Sequence, residues 1–294
     1  MINRLALGTA QFGFPYGVSN KNGKVDRTSA AAILMYAQKA GMDTIDTAIS
    51  YGDSEKCLGE IGVEGWRVFS KLPKMPPKIP IDCEGVLFWV EKQVQGSLER
   101  LGITRLSALL LHRPYELLES NGHVLWSALQ NLKKKGCVEK IGFSIYAPDE
   151  LDLLWSSFPP DLVQAPYNII DRRLQSSGWL MRMYEAGVDI HIRSIFLQGL
   201  LLMSKTERPR KFDRWSWLWD GLENWLHEQQ ITSLQACLAF ALSDRRVGRV
   251  IIGVDSLKQI EEIFLASSAQ VVQAPDIFSI RDLDLINPSR WSSL

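Results

Sequence analysis

The amino-acid sequence predicts an α/β protein that folds as a single (β/α)8 TIM-type barrel over residues 1–294. Eight short strand-like segments alternate with longer amphipathic helical segments, which is the pattern of consecutive parallel βα units. Eight is also the number of strands that closes such a barrel, and 294 residues is an ordinary length for one. The main rival is a doubly wound open sheet, but no candidate strand is followed by the glycine-rich turn G-x-G-x-x-G.

The strand candidates are rich in apolar residues. Several are continuous apolar runs, as expected for strands that are buried on both faces of a parallel sheet. The candidates, in chain order, are residues 5–9, 44–48, 67–72, 106–112, 141–146, 162–168, 189–196 and 249–254.

The helix candidates show apolar residues three and four positions apart, with capping residues at their starts and glycine at several ends. The proline-rich segment 73–80 is interpreted as a loop and not as a domain linker, because the alternation continues through it. The predicted helices are residues 26–41, 84–102, 123–136, 232–243 and 256–267, and a further helical run begins at residue 54.

Composition excludes several functional classes. Lysine and arginine together number 33, as do aspartate and glutamate, so the formal net charge is zero. A bulk attraction to nucleic acid or to an anionic membrane is therefore not predicted. No segment approaches the roughly 20 apolar residues of a membrane helix, and the N-terminus does not resemble a signal peptide. We expect a cytoplasmic protein that binds neither nucleic acid nor membrane.

The four cysteines do not indicate a metal site. Cys57, Cys83, Cys137 and Cys237 are widely spaced, and no C-x-x-C pair is present. Scattered cysteines in a chain of this length suit a reducing compartment. The expectation is free thiols and no bound metal.

Four polar residues lie at or just beyond the ends of three successive candidate strands. Asp46 ends the second, with Tyr51 in the loop that follows, while Lys71 and His112 lie at the ends of the third and fourth. Active-site residues of barrels of this type lie at the carboxyl ends of the strands. Adjacent strands are about 4.8 Å apart, so the four side chains can converge.

These four residue types suit proton transfer to a developing alkoxide. An ammonium close to Tyr51 is expected to lower the pKa of its phenol, and Asp46 can hold Lys71 in place. His112 can donate a hydrogen bond to a substrate oxygen while Tyr51 supplies the proton. Taken singly, each has a structural alternative, namely a buried ion pair, a packed aromatic ring or a core histidine.

The segments that contain these residues resemble the active-site segments of the aldo-keto reductases. They read DTAISYGDSEKCLG, FSKL and LLLHRP, and the resemblance extends in order through LGTAQFG, GFSIY, QAPYN, SIFLQGLL and IIGVDSLKQIEEI. The resemblance implies a barrel that binds NADPH or NADH without a Rossmann fold. It also implies that Tyr51 is the general acid in carbonyl reduction and the base in alcohol oxidation, with Asp46, Lys71 and His112 completing the catalytic set.

For the nicotinamide half of the cofactor, the resemblance implies contacts from Ser144 and Gln164. An asparagine commonly follows that serine in the family, but here the residue is Ile145. Arg193 stands where the family usually stacks an aromatic ring on the nicotinamide. Ser194 and Gly199 match the family pattern that follows the seventh strand.

For the adenosine half, the resemblance implies contacts from Gly253, Asp255, Gln259 and Glu262. Gly253 and Gln259 replace a lysine and an arginine of many family members. Asp255 suits a ribose hydroxyl better than a phosphate by charge, so NADPH preference is expected to be weakened. The alternative for Asp255 is that it caps the following helix. Ile263 replaces the usual asparagine.

The loops are expected to determine which small-molecule carbonyl substrate binds. Phe12, Phe14 and Tyr16 of the first loop either line the substrate pocket or pack the loop. The resemblance implies that residues 204–228 fold over the cofactor, with Gly199 and either Lys205 or Arg210 near its pyrophosphate. Helical spacing of apolar residues from Trp215 onward predicts a helix packed on the barrel.

Two further functions remain open at this stage. A cofactor-binding regulatory protein, like the potassium-channel β subunits that share this fold, is one alternative. The other is a barrel aldolase that uses Lys71 as a Schiff base.

Overall fold

The structure is a computed structural model that describes residues 4–77, 79, 83–268 and 273–294. Its strands are all parallel and close into a barrel in chain order, with the eighth strand paired to the first. The predicted fold class is confirmed. The strands are Leu5–Gly8 (β1), Thr44–Asp46 (β2), Arg67–Leu72 (β3), Leu106–Leu111 (β4), Val138–Ser144 (β5), Leu162–Pro166 (β6), Asp189–Arg193 (β7) and Arg249–Gly253 (β8).

Helices follow the strands and surround the barrel. The predicted helices are present with ends shifted by one or two residues, whereas five shorter helices, at residues 10–13, 149–154, 173–176, 179–185 and 283–286, were not predicted. The helices are Ala10–Gly13 (α1), Arg27–Lys39 (α2), Ser54–Ile61 (α3), Cys83–Leu101 (α4), Gly122–Lys134 (α5), Asp149–Leu154 (α6), Arg173–Ser176 (α7), Trp179–Glu185 (α8), Ser216–Gln229 (α9), Ser233–Ser243 (α10), Leu257–Ala266 (α11) and Leu283–Ile286 (α12).

Side-chain caps set the starts of three of the predicted helices. The Asp26 carboxylate accepts a hydrogen bond from Ser29 N at 3.0 Å and starts α2. Thr232 and Gln235 form a reciprocal capping box at the start of α10. Ser256 caps α11 by accepting from Gln259 N. These caps precede the helical residues, so helices predicted from their capping residues begin one residue later in the structure.

Two apolar layers stabilise the barrel. The larger lies between the sheet and the surrounding helices, and it includes Trp89 and the buried face of α9. Burial of Trp215, Trp219 and Leu222 confirms the prediction that this helix packs on the barrel. A smaller cluster of buried residues comes from the strands alone and consists of Phe69, Ala108, Leu110 and Leu162.

No described helix is long and apolar enough to cross a membrane. Among the same residues, no group of three or more His, Cys, Asp or Glu side chains could hold a metal ion. Cys57, Cys137 and Cys237 are free thiols, and the Cys83 side chain lies outside the description. Residues 73–77 and 79 form a loop, while the rest of the predicted loop 73–80 lies outside the described residues.

A histidine is buried within β7. The His191 side chain is 3% exposed, its ring stacks on Phe69 with centroids 5.0 Å apart, and its Nδ1 has no hydrogen-bond partner in the described chain. Burial lowers the pKa of His191 from 6.5 to about 3, and the charges of Arg249 and Lys140 act in the same direction. The ring is therefore neutral in the folded protein at neutral pH.

This burial predicts acid sensitivity. Below pH 6.5 the unfolded chain binds a proton at His191 that the folded chain does not, so the free energy of unfolding falls as pH falls toward 3. Between about pH 7.5 and about pH 5, we expect His191 to account for a loss of roughly 2 kcal/mol in urea unfolding. His191→Leu should remove that part of the loss, whereas His123→Leu, at an exposed histidine, should not. An equal pH dependence in parent and His191→Leu protein would contradict the prediction.

Candidate active site

A cavity of about 520 Å³ lies at the carboxyl ends of the strands. Its walls include the last residues of β1, β2, β5, β7 and β8. Every site residue predicted from the sequence lines it except Lys71, which is 1% exposed and contacts the lining residue Asp46. The lining residues that were predicted are Asp46, Tyr51, His112, Ser144, Gln164, Arg193, Ser194, Gly199, Gly253, Asp255, Gln259 and Glu262.

Lys71 and Asp46 form a buried ion pair beside the cavity. Lys71 Nζ lies 2.5 Å and 2.6 Å from the two Asp46 carboxylate oxygens and donates to Thr47 O at 2.8 Å. Burial lowers the pKa of Lys71, and the Asp46 carboxylate opposes this shift. Gln164 Nε2 also donates to Asp46, at 3.0 Å and 3.3 Å. The carboxylate is therefore held by two side chains, and the pair adds no net charge to the site.

Tyr51 lies directly over this pair. Lys71 Nζ is 4.9 Å from the centre of the Tyr51 ring, and so faces the ring. Close backbone packing fixes the loop, because a Cβ on Gly13 would lie 1.7 Å from Tyr51 O. Gly52 has φ +49°, and a Cβ there would lie 2.7 Å from Gly13 O. Glycine at both positions lets the first loop hold Tyr51 in place.

The expected effect on the Tyr51 phenol was wrong in sign. The proximity of Lys71 predicted a lowered pKa, but burial raises the pKa of Tyr51, and the Asp46 carboxylate raises it further. The charge of Lys71 is already neutralised by Asp46, whereas Arg193 acts weakly in the lowering direction. The phenol is consequently protonated at neutral pH, which is the form that a proton donor requires.

His112 completes this end of the cavity. Its ring packs edge-on against Tyr51 with centroids 5.8 Å apart, and its Nδ1 lies 3.2 Å from Ser50 Oγ. Burial and the charge of Lys71 lower the pKa of His112 from 6.5 to about 3. A neutral imidazole that accepts from Ser50 at Nδ1 has its Nε2–H available as a donor.

Arg193 lies at the same end, at the last position of β7. Its guanidinium donates to Ile145 O at 2.9 Å and to Ser194 Oγ at 3.3 Å. Its carbon atom lies 4.7 Å from the centre of the Tyr146 ring. The Ile145 side chain is fully buried and does not line the cavity. Ser144 Oγ donates to Gln164 Oε1 at 3.1 Å, so these two predicted contact residues also orient each other.

The opposite end of the cavity is acidic. Asp255 and Glu262 line it, and Asp255 Oδ1 accepts from Asn20 Nδ2 at 3.3 Å. The alternative that Asp255 caps α11 is wrong, because Ser256 is the capping residue. Gln259 Oε1 accepts from Asp255 N at 2.7 Å.

The first loop crosses the cavity, which the sequence did not reveal. Val18 N donates to Gln198 O at 3.1 Å, and Lys21 pairs with Glu207 at 3.2 Å. Both residues of that ion pair line the cavity. Each contact joins residues more than 170 positions apart in the chain, so no local pattern in the sequence could predict it.

The segment after β7 has an unusual backbone. Ser194, Leu197 and Gln198 all have positive φ, between 47° and 60°, and Gly199 follows at 88°. Each non-glycine residue in this region costs roughly 1–2 kcal/mol, and such strain is common where a backbone is shaped for binding. Asn168 Nδ2 stabilises the segment by donating to Ser194 O at 3.0 Å.

Other loop predictions had mixed outcomes. Lys205 is paired with Asp220 at 2.9 Å, and neither Lys205 nor Arg210 lines the cavity, so the structure does not bring either side chain to the site. Phe12 is buried in the core. Phe14 packs edge-on against Tyr51 with centroids 6.0 Å apart, and Tyr16 lines the cavity.

The residues of the cavity fit a dinucleotide better than a metal or a phosphate ester alone. One end carries amide- and hydroxyl-bearing side chains, Ser144 and Gln164, together with the Tyr51 phenol. The other end carries Asp255 and Glu262, which accept hydrogen bonds from hydroxyl and amino groups. A Cβ on Gly253 would lie 2.3 Å from Gln11 Nε2, so glycine at this position leaves room for the Gln11 side chain in the cavity wall.

Comparisons with known proteins agree with this geometry. The model of the aldo/keto reductase family matches residues 4–284. The chain is 25% identical to an NADH-specific methylglyoxal reductase of Escherichia coli K12, over 89% of this chain and 88% of that protein. It is also 25% identical to a D-threo-aldose 1-dehydrogenase of a Pseudomonas species, over 84% of this chain and 87% of the relative.

Solved structures show the same fold. The holo form of an aldo-keto reductase from Bacillus halodurans superposes with a TM-score of 0.73 at 19% identity. The match covers 92% of this chain and 88% of that one.

Proposed function

This chain belongs to the aldo/keto reductase family, and on that basis we propose that it is a carbonyl reductase dependent on NADH or NADPH, with Tyr51 as general acid. The observation that carries the proposal is the arrangement of Tyr51 and His112 on a cavity wall, over the buried pair of Lys71 and Asp46. The names of the relatives support carbonyl and sugar-like substrates, so a small aldehyde, ketone or sugar-like carbonyl is the proposed substrate.

His112 and Tyr51 have separate roles in the proposed reduction. A nicotinamide held by Ser144, Gln164, Arg193 and Ser194 would supply the hydride for the carbonyl carbon. Neutral His112 donates a hydrogen bond from Nε2 to the carbonyl oxygen and stabilises the negative charge that develops there. Tyr51 transfers its hydroxyl proton to that oxygen and regains a proton from solvent. Burial, which raises the pKa of Tyr51, keeps the phenol in the protonated form needed for this direction.

The pair of Lys71 and Asp46 positions this machinery. The Lys71 ammonium lies 4.9 Å from the centre of the Tyr51 ring and positions that ring. Asp46 favours the charged form of Lys71 and accepts the hydrogen bond that orients the Gln164 side chain. Gln164 and Ser144 are the proposed contacts for the nicotinamide, together with Arg193 and Ser194. Gly199, Gly253, Asp255, Gln259 and Glu262 are the proposed contacts for the rest of the cofactor.

Cofactor titration combined with turnover tests the proposal. Fluorescence titration with NADH and with NADPH should reveal binding of at least one, and 4-nitrobenzaldehyde should be reduced by the complex. Binding without turnover of any aldehyde tried would favour the regulatory alternative, for which the buried Ile145 in place of an asparagine is the supporting observation. Absence of binding would contradict both.

The aldolase alternative is disfavoured by the environment of Lys71. A Schiff-base lysine must present a neutral amine to the substrate, but Lys71 lies 2.5 Å from Asp46 and does not line the cavity. Borohydride trapping of a substrate adduct on Lys71 would reinstate this alternative.

We further propose that the preference for NADPH is weakened in this protein and that NADH is also used. At the acidic end of the cavity, Glu207 is paired with Lys21 at 3.2 Å and Glu262 with Lys258 at 3.8 Å. Among the described residues there, Asp255 carries a negative charge without a cationic partner. A 2′-phosphate would meet unfavourable charge there. In steady-state kinetics, Asp255→Asn should shift the kcat/KM ratio toward NADPH by roughly three- to tenfold.

A matched control for this shift lies on the same helix. Glu261 does not line the cavity, and Glu261→Gln should leave the cofactor ratio within about twofold of the parent. A hundredfold preference of the parent protein for NADPH would contradict the proposal.

A further inference from the structure

Arg193 carries a charge that no acidic partner neutralises. No carboxylate of the described chain lies within 4.0 Å of its guanidinium nitrogens. The nearby Glu150 is occupied elsewhere, since it accepts hydrogen bonds from Tyr146 N at 2.6 Å and Ala147 N at 2.9 Å. The guanidinium is held by Ile145 O, Ser194 Oγ and the Tyr146 ring, which are all neutral.

The rest of this end of the cavity contributes little net charge. Lys71 and Asp46 cancel each other at 2.5 Å. His112 is neutral, because burial lowers its pKa to about 3, and Tyr51 is protonated. Among the described residues that line this end, Arg193 is therefore the charged side chain without an oppositely charged partner. Its charge shifts the pKa values of Tyr51, Lys71 and His112, so it reaches every group around the proton donor.

A nicotinamide at this end must lie within the reach of that charge. Arg193 pairs in register with Pro166 of β6, two positions beyond Gln164, and lines the same cavity as Tyr51. The ring must approach the carbonyl group that Tyr51 protonates, because hydride and proton are delivered to adjacent atoms. The reduced ring is neutral and the oxidised ring carries a positive charge. A fixed cation in a partly buried site interacts with these two forms differently.

We propose that Arg193 makes the protein bind the reduced cofactor more tightly than the oxidised cofactor. The guanidinium repels the cationic ring and tolerates the neutral one, so the protein binds the reduced cofactor more tightly and releases the oxidised cofactor after each reduction. The inference rests on the proposed function and deepens it. It assigns a difference in affinity between the two forms of the cofactor to a single charged side chain.

Dissociation constants test this proposal without turnover. The ratio of the Kd of the oxidised cofactor to that of the reduced cofactor is measured by fluorescence titration for the parent, Arg193→Gln and Arg193→Lys. Loss of the charge in Arg193→Gln should lower the ratio at least tenfold, mainly through tighter binding of the oxidised form. Arg193→Lys keeps the charge but not the guanidinium plane, so its ratio should stay within about threefold of the parent.

Arg113 provides a matched control. It is exposed, and its charge also lowers the pKa of His112. Arg113→Gln should leave the ratio within about twofold of the parent, because solvent screens an exposed charge. A ratio that is unchanged in Arg193→Gln would overturn the proposal. So would an equal fall in Arg193→Lys, which would assign the effect to shape, or in Arg113→Gln, which would assign it to bulk charge.

These outcomes separate the inference from the proposed function. Reduction of 4-nitrobenzaldehyde by the parent together with an insensitive Kd ratio would overturn only the role of Arg193. A parent protein that binds neither form of the cofactor would overturn both.

Discussion

Tyr51→Phe is expected to abolish most of the reductase activity while leaving the cofactor site intact. The substitution removes one hydroxyl from a ring that packs against Phe14 and His112 and faces Lys71 Nζ. A positioned general acid contributes roughly 10²–10⁴-fold to the rate. We expect kcat/KM for an aldehyde to fall by about that factor, with the Kd of the reduced cofactor within about twofold of the parent.

A second aromatic residue serves as the matched control for this prediction. Tyr16 lines the same cavity, and its ring packs against Phe14 with centroids 5.8 Å apart. Tyr16→Phe removes a hydroxyl without removing the proposed acid, so its kcat should remain within about tenfold of the parent. Full activity in Tyr51→Phe, or an equal loss in Tyr16→Phe, would mean that Tyr51 is not the proton donor.

Lys71→Met is expected to have the largest effect on stability. The substitution leaves the Asp46 carboxylate buried, with Gln164 as its remaining side-chain donor. Removing one partner of a buried ion pair costs about 3–5 kcal/mol, because the other charge is left uncompensated. Urea unfolding should report a loss of this size in the free energy of unfolding, and activity should be lost as well.

A double variant and a partly exposed ion pair provide two controls for this prediction. Asp46→Asn combined with Lys71→Met removes both charges and retains an acceptor for Gln164, so it should recover at least half of the lost stability. Lys140→Met breaks a pair with Asp189 whose side chains are 30% and 41% exposed, and it should cost less than about 1 kcal/mol. A loss below about 1 kcal/mol in Lys71→Met would contradict the account of the buried pair.

The barrel topology and the positions of the candidate active-site residues were predictable because both follow from local patterns in the sequence. Alternating strands and helices gave the topology, and Asp46, Lys71 and His112 lie at or next to strand ends where the pattern located them. The carboxyl ends of parallel strands lie at one face of the barrel. The strand order alone therefore predicts that these residues, although far apart in the chain, lie close together. Tyr51 was predicted to lie there as well, because it belongs to the loop that follows the second strand.

Electrostatics and loop contacts were less predictable. The sign of the Tyr51 shift depends on burial and on the pairing of Lys71, neither of which is visible in the order of residues. The contacts of the first loop with Gln198 and Glu207 depend on the three-dimensional paths of two long loops. Asp255 and Ser256 are adjacent, and only the backbone conformation distinguished the capping residue from its neighbour.

Transfer of deuterium is the most direct test of the central claim, that this chain reduces carbonyls with hydride from a nicotinamide. The parent protein is incubated with 4-nitrobenzaldehyde and with NADH or NADPH deuterated at both C4 positions, and the alcohol is analysed by mass spectrometry. The account predicts an alcohol that contains one deuterium on carbon, formed by the parent and largely lost in Tyr51→Phe. Cofactor binding without any deuterated alcohol, or equal formation by both proteins, would contradict it.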